Sequence, residues 1–299
     1  MTDWRAMPTS GAALGGGTDG WVKGDGVRLH YVVRGSGPLV VLLHGFPEFW
    51  FGWRHQLAVL AAAGYRAVAL DLRGYNLSGR PPRVEDYTRA RVAADVAAAI
   101  ARLGGPARAV VGHDWGGVIA WRLSVRHADA LERLVVMNAP HPARYRELAR
   151  HPAQLARSWY VGAVQIPWLP ELLLRRDDFA ALARVLRVEH GRDRAPSDAA
   201  LDAYRASWRI PGALKAALSY YRALKRSLVQ SAAVEHAPTT QPTLVVWGMR
   251  DGALVPANAE GLERWVRDLR VVRLADAHHF VQSDAPDAVN AALVDFLRR

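Results

Sequence analysis

The sequence predicts an α/β fold, a mostly parallel central sheet with helices on both faces and a helical segment inserted late in the chain. Three observations carry this expectation. Short, almost continuously apolar runs recur along the chain, and they alternate with stretches of helical periodicity. The alternation stops between about residues 144 and 236 and then resumes. Apolar runs of strand length suit strands buried on both faces of a parallel sheet, and strand–helix alternation supplies the right-handed crossovers.

In chain order, WVKGDGVRLHYVVRGSG reads as an antiparallel hairpin leading into the sheet. The strand candidates that follow are PLVVLLHG at 38–45, YRAVALDLRG at 65–74, ARAVVGHD at 107–114 and LERLVVMNAP at 131–140. TLVVWGMRD at 243–251 and LRVVRLADA at 269–277 complete the set. All are rich in Val and Leu. Between them, Val92, Val96, Ile100 and Leu103 recur at helical spacing, with Thr88 placed to cap. At the C-terminus Val289, Leu293, Phe296 and Leu297 form one helical face, with Pro286 in the first turn, where a missing N–H costs little. Residues 144–236 are rich in Arg, Leu and Trp and read as short helices forming a lid. The expected organisation is a flexible leader at 1–20, a core at 21–143 and 237–299, and the lid between.

Composition narrows the function. Of 299 residues 51% are hydrophobic and 22% charged, an ordinary globular balance that excludes disorder and collagen-like sequence. Cysteine is absent, which excludes disulfides, Cys-based zinc sites, iron–sulfur clusters and a Cys nucleophile. No run approaches 18 apolar residues and the N-terminus does not read as a secretory signal, so a cytoplasmic protein without a membrane partner is expected. The net charge of +11 comes from arginines scattered along helical segments, the pattern of solvated helix faces. Nucleic-acid binding needs a clustered stripe and a recognition module, and neither is evident.

The chemistry concentrates at Gly112-His113-Asp114-Trp115-Gly116-Gly117, directly after a strand and before a helix. This is the small-x-nucleophile-x-small pattern of a nucleophile elbow, with Asp at its centre. A helix N-terminus stabilises a carboxylate there in its anionic, nucleophilic form. Taken alone, the motif reads equally well as a Gly-rich turn with a capping Asp. Asp251 follows one later strand and His279 another, giving the chain order nucleophile, acid, histidine. Singly, Asp251 is a turn residue and His279 a loop histidine; together, at strand ends and in this order, they read as a triad. His278 leaves the register of the histidine open by one; the aromatic-Val-Gln that follows favours His279. Asp276 shares the histidine's loop and is a poor rival for the acid, while His113 and His141 read as structural.

HGFPEFWFGWRHQ, DLRGYNLSGRP, GHDWGGVIAW, NAPHP and HHFVQSDAPDAVN together resemble the epoxide hydrolases of the α/β-hydrolase fold, from about residue 21 to the end. The resemblance implies that the N–H groups of Phe46 and Trp115 form the oxyanion hole. Ser158–Gln165 is similar to the family stretch in which a Tyr precedes a Gln by five, and Ser219–Arg222 to that of the second lid tyrosine. Tyr160 and Tyr221 are thereby implied as the pair that activates the epoxide; without the triad they would read as packing between lid helices. Asn138 sits where some relatives place their acid, and as an amide it leaves that role to Asp251.

The implied reaction converts a hydrophobic epoxide and water to a vicinal diol. Asp114 forms an alkyl ester while the tyrosines protonate the departing oxygen, and His279, oriented by Asp251, activates the water that hydrolyses the ester. Glu48 is a candidate for positioning that water, though an exposed loop carboxylate explains it as well. Trp159, Trp168 and Phe280 are expected to line an apolar tunnel, unless they belong to the core. No metal or organic cofactor is required, and the chain is expected to be a monomer or homodimer. The nearest alternative is a dehalogenase with the same Asp nucleophile, which has no need of two tyrosines. Asp114 excludes a Ser-type esterase, because carboxylate attack on an ester gives an anhydride that reverses. A hydrolase-fold binding protein predicts a broken triad.

Overall fold

The computed structural model describes residues 8–191, 194–224 and 237–299. Its centre is an eight-stranded sheet in the order β1-β2-β4-β3-β5-β6-β7-β8. The strands are β1 (Thr18–Lys23), β2 (Arg28–Arg34), β3 (Leu39–Leu43), β4 (Arg66–Leu70), β5 (Ala109–His113), β6 (Leu134–Met137), β7 (Thr243–Gly248) and β8 (Leu269–Leu274). The β1–β2 hairpin is antiparallel, β2 joins β4 antiparallel, and every pairing from β4 to β8 is parallel. Sequence explains the centre and the edge. LVVLL of β3 and AVVGH of β5 are buried throughout, whereas LRVVRL of β8 is only half-buried and carries two arginines. Charge on an edge strand discourages pairing with another chain.

Helices α1 (Arg54–Ala62), α2 (Arg89–Arg102) and α3 (Trp115–Arg126) connect the first parallel strands. Val92, Val96 and Ile100 form the buried face of α2, as the periodicity predicts. Thr88 does stand at the N-cap of α2, but its side chain makes no capping bond. Between β6 and β7 come α4 (Pro142–Leu148), α5 (Pro152–Arg157), α6 (Trp159–Ala163), α7 (Leu169–Val188), α8 (Asp198–Arg209) and α9 (Ala213–Arg222). Helix α7 is broken where Asp177, Asp178 and Phe179 take positive φ. Two helices close the chain, α10 (Val281–Asp284) and α11 (Pro286–Arg298), the latter burying Val289, Leu293, Phe296 and Leu297.

The inserted helices are tied to loops at the carboxyl ends of the parallel strands. Trp208 Nε1 donates to Pro47 O at 2.6 Å, after β3, and Tyr220 Oη to Arg73 O at 2.8 Å, after β4. Arg157 donates to Asp251 O and Leu254 O at 2.8 Å, after β7. The insertion therefore roofs the end of the sheet where the motif residues emerge. The lid expected at 144–236 includes 225–236, which lie outside the described residues. Among the described residues no helix is long and apolar enough to cross a membrane.

The leader expected to be flexible differs from that reading. Residues 1–7 lie outside the described residues, but Thr9 and Ser10 are buried, and β1 already begins at Thr18. Trp50 Nε1 donates to Thr9 O at 2.8 Å, and the Gly11 and Ala12 amides donate to Asp19. The reason is a buried charge cluster that a glycine-rich composition does not reveal. His30 lies fully buried between Asp71 at Nδ1 (2.7 Å) and Asp19 at Nε2 (2.9 Å). Burial disfavours the imidazolium, but two carboxylates outweigh it and raise the His30 pKa to about 9.

Because the folded state holds this proton more tightly than the unfolded chain, His30 contributes stability fully below about pH 6.5 and loses it as pH rises through about 9. Thermal unfolding between pH 6 and 10 should show a decline worth about 3 kcal/mol. His30→Gln should be less stable at pH 6 and should lack most of that decline; an unchanged pH profile in the variant would remove His30 from this role.

Candidate active site

Asp114 occupies the bend between β5 and α3 with φ 49° and ψ −120°, a strained conformation for a residue with a side chain. Glycines make the bend possible. A Cβ on Gly116 would lie 2.0 Å from Leu43 O on the neighbouring strand, and one on Gly112 would lie 2.4 Å from Gly116 O. A Cβ on Gly45 would meet Asp114 Cβ at 2.4 Å, so the loop after β3 passes directly beside the carboxylate and sets Phe46 next to it. Asp114 Oδ2 accepts from Trp115 N at 2.7 Å. One carboxylate oxygen thus already sits on an amide that the family resemblance implies for the oxyanion hole.

The other oxygen, Oδ1, lies 3.8 Å from His279 Nε2. His279 Nδ1 meets Asp251 Oδ2 at 2.8 Å, which closes the line Asp114–His279–Asp251. Asp251 is buried; its Oδ1 accepts from the amides of Ala253 (2.7 Å) and Leu254 (2.9 Å), and its Oδ2 also accepts from Asn138 Nδ2 at 2.7 Å. Asn138 is fixed in turn, since its Oδ1 accepts from Gly248 N at 2.8 Å. The neighbouring His278 turns away, its amide donating to Asp284 Oδ2 at 2.6 Å. Asp276 is exposed and paired with Arg250.

The electrostatics follow from this geometry. Burial opposes the charge on Asp251, but the imidazole of His279 and the Asn138 and Leu254 donors outweigh it and hold the carboxyl below its ordinary range. Burial likewise opposes protonation of His279, and the charges and bonds of Asp251 and Asp114 raise it well above the ordinary histidine value.

Tyr160 of α6 and Tyr221 of α9 come from the roof, with ring centroids 5.8 Å apart at 80°. Tyr221 also packs edgewise on Trp115 at 5.0 Å and on Phe46 at 5.5 Å. Burial first, and the Asp114 charge second, push both phenols far above their ordinary pKa, so they are donors at neutral pH. The spacing that marked Tyr160 has a visible cause. Gln165 Nε2 donates to Tyr221 O at 3.0 Å, and Arg222 Nε donates to Val164 O at 3.0 Å, so the residues beside each tyrosine bolt α6 to α9.

Three expectations need correction. Trp159 and Trp168 are 72% and 70% exposed, so they do not line an internal tunnel. Adjacent helical residues point about 100° apart, so with Tyr160 turned inward Trp159 faces out. Trp168 stands at the N-cap of α7 with φ 55°. Glu48 is not an exposed loop carboxylate but is 1% exposed, accepting from Gln282 Nε2 at 2.9 Å and Tyr204 Oη at 3.1 Å, with His113 Nδ1 at 3.1 Å. Burial opposes its charge, yet the contact with His113 prevails and keeps its pKa low. Phe280 is buried, stacked on His190 at 5.0 Å and edge-on to His279 at 5.1 Å, so it braces the imidazole from behind. His113 Nε2 holds His279 O at 2.9 Å. Tyr204 is the site residue that sequence reasoning missed; its one signal was its place on the buried face of α8 with Leu201 and Trp208.

A family profile described as the alpha/beta hydrolase fold matches residues 38–286. The chain is 38% identical over 287 residues to epoxide hydrolase 4 of Mus musculus, covering 93% of this chain and 78% of that protein. It is 38% identical over 304 residues to epoxide hydrolase 3 of Xenopus tropicalis, covering 98% and 82%. A mutant epoxide hydrolase from Bacillus megaterium superimposes with a TM-score of 0.85 at 32% identity, over 94% of this chain and all of that one. Another structure of that enzyme, holding a naphthyloxy propanediol product, gives 0.83 with the same identity and coverage.

Gly116→Ala should be strongly destabilising, because its new methyl meets backbone rather than a flexible side chain. A loss of about 3 kcal/mol or more in denaturant unfolding, or failure to fold, is expected. Wild-type stability would show that the contact with Leu43 does not constrain the bend.

Proposed function

The chain belongs to the α/β-hydrolase-fold epoxide hydrolases, and from that premise we propose that it opens a hydrophobic epoxide in two steps through an ester on Asp114. The observation that carries this reading is the pair of roof phenols packed together at 5.8 Å, with Tyr221 lying on Trp115 and Phe46 beside the Asp114 bend. In the first step a carboxylate oxygen of Asp114 attacks a ring carbon from behind. The C–O bond of the epoxide breaks, and its oxygen takes a proton from Tyr160 or Tyr221. An alkoxide is a poor leaving group without such a donor, whereas a halide needs no proton at all. Two phenols held protonated in the site therefore favour the epoxide over the haloalkane.

The second step needs His279 as a base, yet in the resting site two carboxylates favour its protonated form. Esterification resolves the conflict. Once Asp114 is a neutral ester, one of the two supporting charges is gone, and the imidazolium proton can return to the phenolate left by the first step through intervening water. Neutral His279 then takes a proton from water, whose oxygen adds to the ester carbonyl. The Phe46 and Trp115 amides hold the resulting oxyanion; losing one such donor typically costs about 100- to 1000-fold. Collapse breaks the ester C–O bond, the departing alkoxide takes the proton of the newly added hydroxyl, and the diol leaves Asp114 as a carboxylate and His279 protonated as it began. Asp251 keeps the ring oriented throughout. Glu48, behind His113, is proposed to help hold the attacking water on the imidazole side. The naphthyloxy diol bound by the Bacillus megaterium enzyme is consistent with a bulky apolar substrate.

Incubation with styrene oxide and with bromobutane should yield diol and no halide; halide alone would establish the dehalogenase reading instead. His279→Gln should accumulate enzyme carrying one substrate mass on Asp114, visible by intact-protein mass spectrometry. Consumption of epoxide by that variant without any adduct would overturn the two-step scheme. Asp114→Asn should abolish turnover, and the His279 ring should titrate lower in it than in the wild type, because one of the two supporting charges is gone. Imidazole NMR titration reads this directly, and an unchanged or higher value would contradict the proposed release of the proton.

A further inference from the structure

Glu48 is held by donors from two different parts of the molecule. His113 and Gln282 belong to the sheet domain and sit at Oε2. Tyr204 belongs to α8 of the insertion, and its hydroxyl donates to Oε1 at 3.1 Å across 156 residues of chain. The place is built for this contact. A Cβ on Gly52 would lie 2.4 Å from Glu48 Oε1, so the next turn of backbone is kept bare beside the carboxylate. Phe49 packs edgewise on the Tyr204 ring at 5.5 Å, and Trp208, one turn along α8, bonds to Pro47 O at 2.6 Å. Tyr204 is 1% exposed, and burial together with the Glu48 charge keeps its phenol protonated.

We propose that Tyr204 is a positioning residue for ester hydrolysis, fixing the Glu48 carboxylate against the His113–His279 layer only while α8 is seated on the core. This rests on the two-step reading above. The path runs Tyr204 Oη to Glu48, Glu48 to His113 Nδ1, and His113 Nε2 to the backbone oxygen of His279. The path ends on the backbone of the residue that serves as base, so it bears on the base and its water rather than on ring opening. A buried carboxylate that loses a donor is pushed toward its neutral form, and its unbonded oxygen is free to shift. Glu48 can then no longer hold water or balance the imidazolium that forms as His279 takes the proton. Seating of the roof is thereby linked to the step that follows substrate capture.

The test is rapid-quench single turnover of the full chain with styrene oxide, following adduct formation and decay by intact mass. Tyr204→Phe should form the adduct within about twofold of the wild-type rate but discharge it about 10-fold more slowly, the size expected for a bond to a charged group. The Tyr204→Phe, Glu48→Gln double variant should discharge no more slowly than Glu48→Gln alone, since the phenol acts through that carboxylate. Wild-type decay in Tyr204→Phe, equal slowing of both steps, or additive effects in the double variant would each overturn the proposal. No adduct even in His279→Gln would overturn the two-step reading, and this proposal with it.

Discussion

The architecture depends on one strained backbone conformation. Asp114 sits at φ 49° and ψ −120° because β5 must turn into α3 within a single residue, and such a conformation costs roughly 1–3 kcal/mol. What holds it is the close approach of three backbones: β3 at Leu43, the bend itself, and the first turn of α3 at Gly116. The parallel sheet supplies the rigidity, with β3 and β5 paired from Val40 and Ala109 through Leu43 and Gly112. That pairing brings the amide of Trp115 onto Asp114 Oδ2 and leaves Oδ1 facing His279.

Around this bend, among the described residues, buried charges are paired. Asp251 accepts from two amides, an amide side chain and the imidazole. Arg73 makes two bonds to Asp95 and donates to the carbonyls of Asp86 and Asp25, fixing the loop whose Arg73 carbonyl then receives Tyr220. Burying an unpaired ion costs several kcal/mol, so each network tolerates few alternative arrangements. The roof is therefore registered on the sheet by polar bonds of definite geometry as well as by apolar contact.

Much of this was legible in the sequence, for identifiable reasons. Strands buried on both faces leave near-continuous Val/Leu runs, and every run expected as a strand carries one. Sterics force small residues around a one-residue bend, so Gly112 and Gly116 announced it. What the sequence concealed were properties set by orientation and by distant partners. Trp159 and Tyr160 are adjacent in the chain, and only the roll of α6 sends one outward. Glu48 reads as a loop acid until Tyr204, Gln282 and His113, from three separate segments, enclose it. The packed leader depends on His30 meeting Asp19 and Asp71, a contact between β1, β2 and the end of β4 that no local pattern encodes.

Asn138 steadies the acid from the neighbouring strand. Its amide nitrogen stands 2.7 Å from Asp251 Oδ2, the same oxygen that accepts from the imidazole. The ends of β6 and β7 therefore meet in one bonded trio, Asn138–Asp251–His279. Because Asn138 is itself anchored on Gly248 N, the backbone of β7 aims the oxygen that receives the imidazole, and the acid's own loop shares that task rather than carrying it alone.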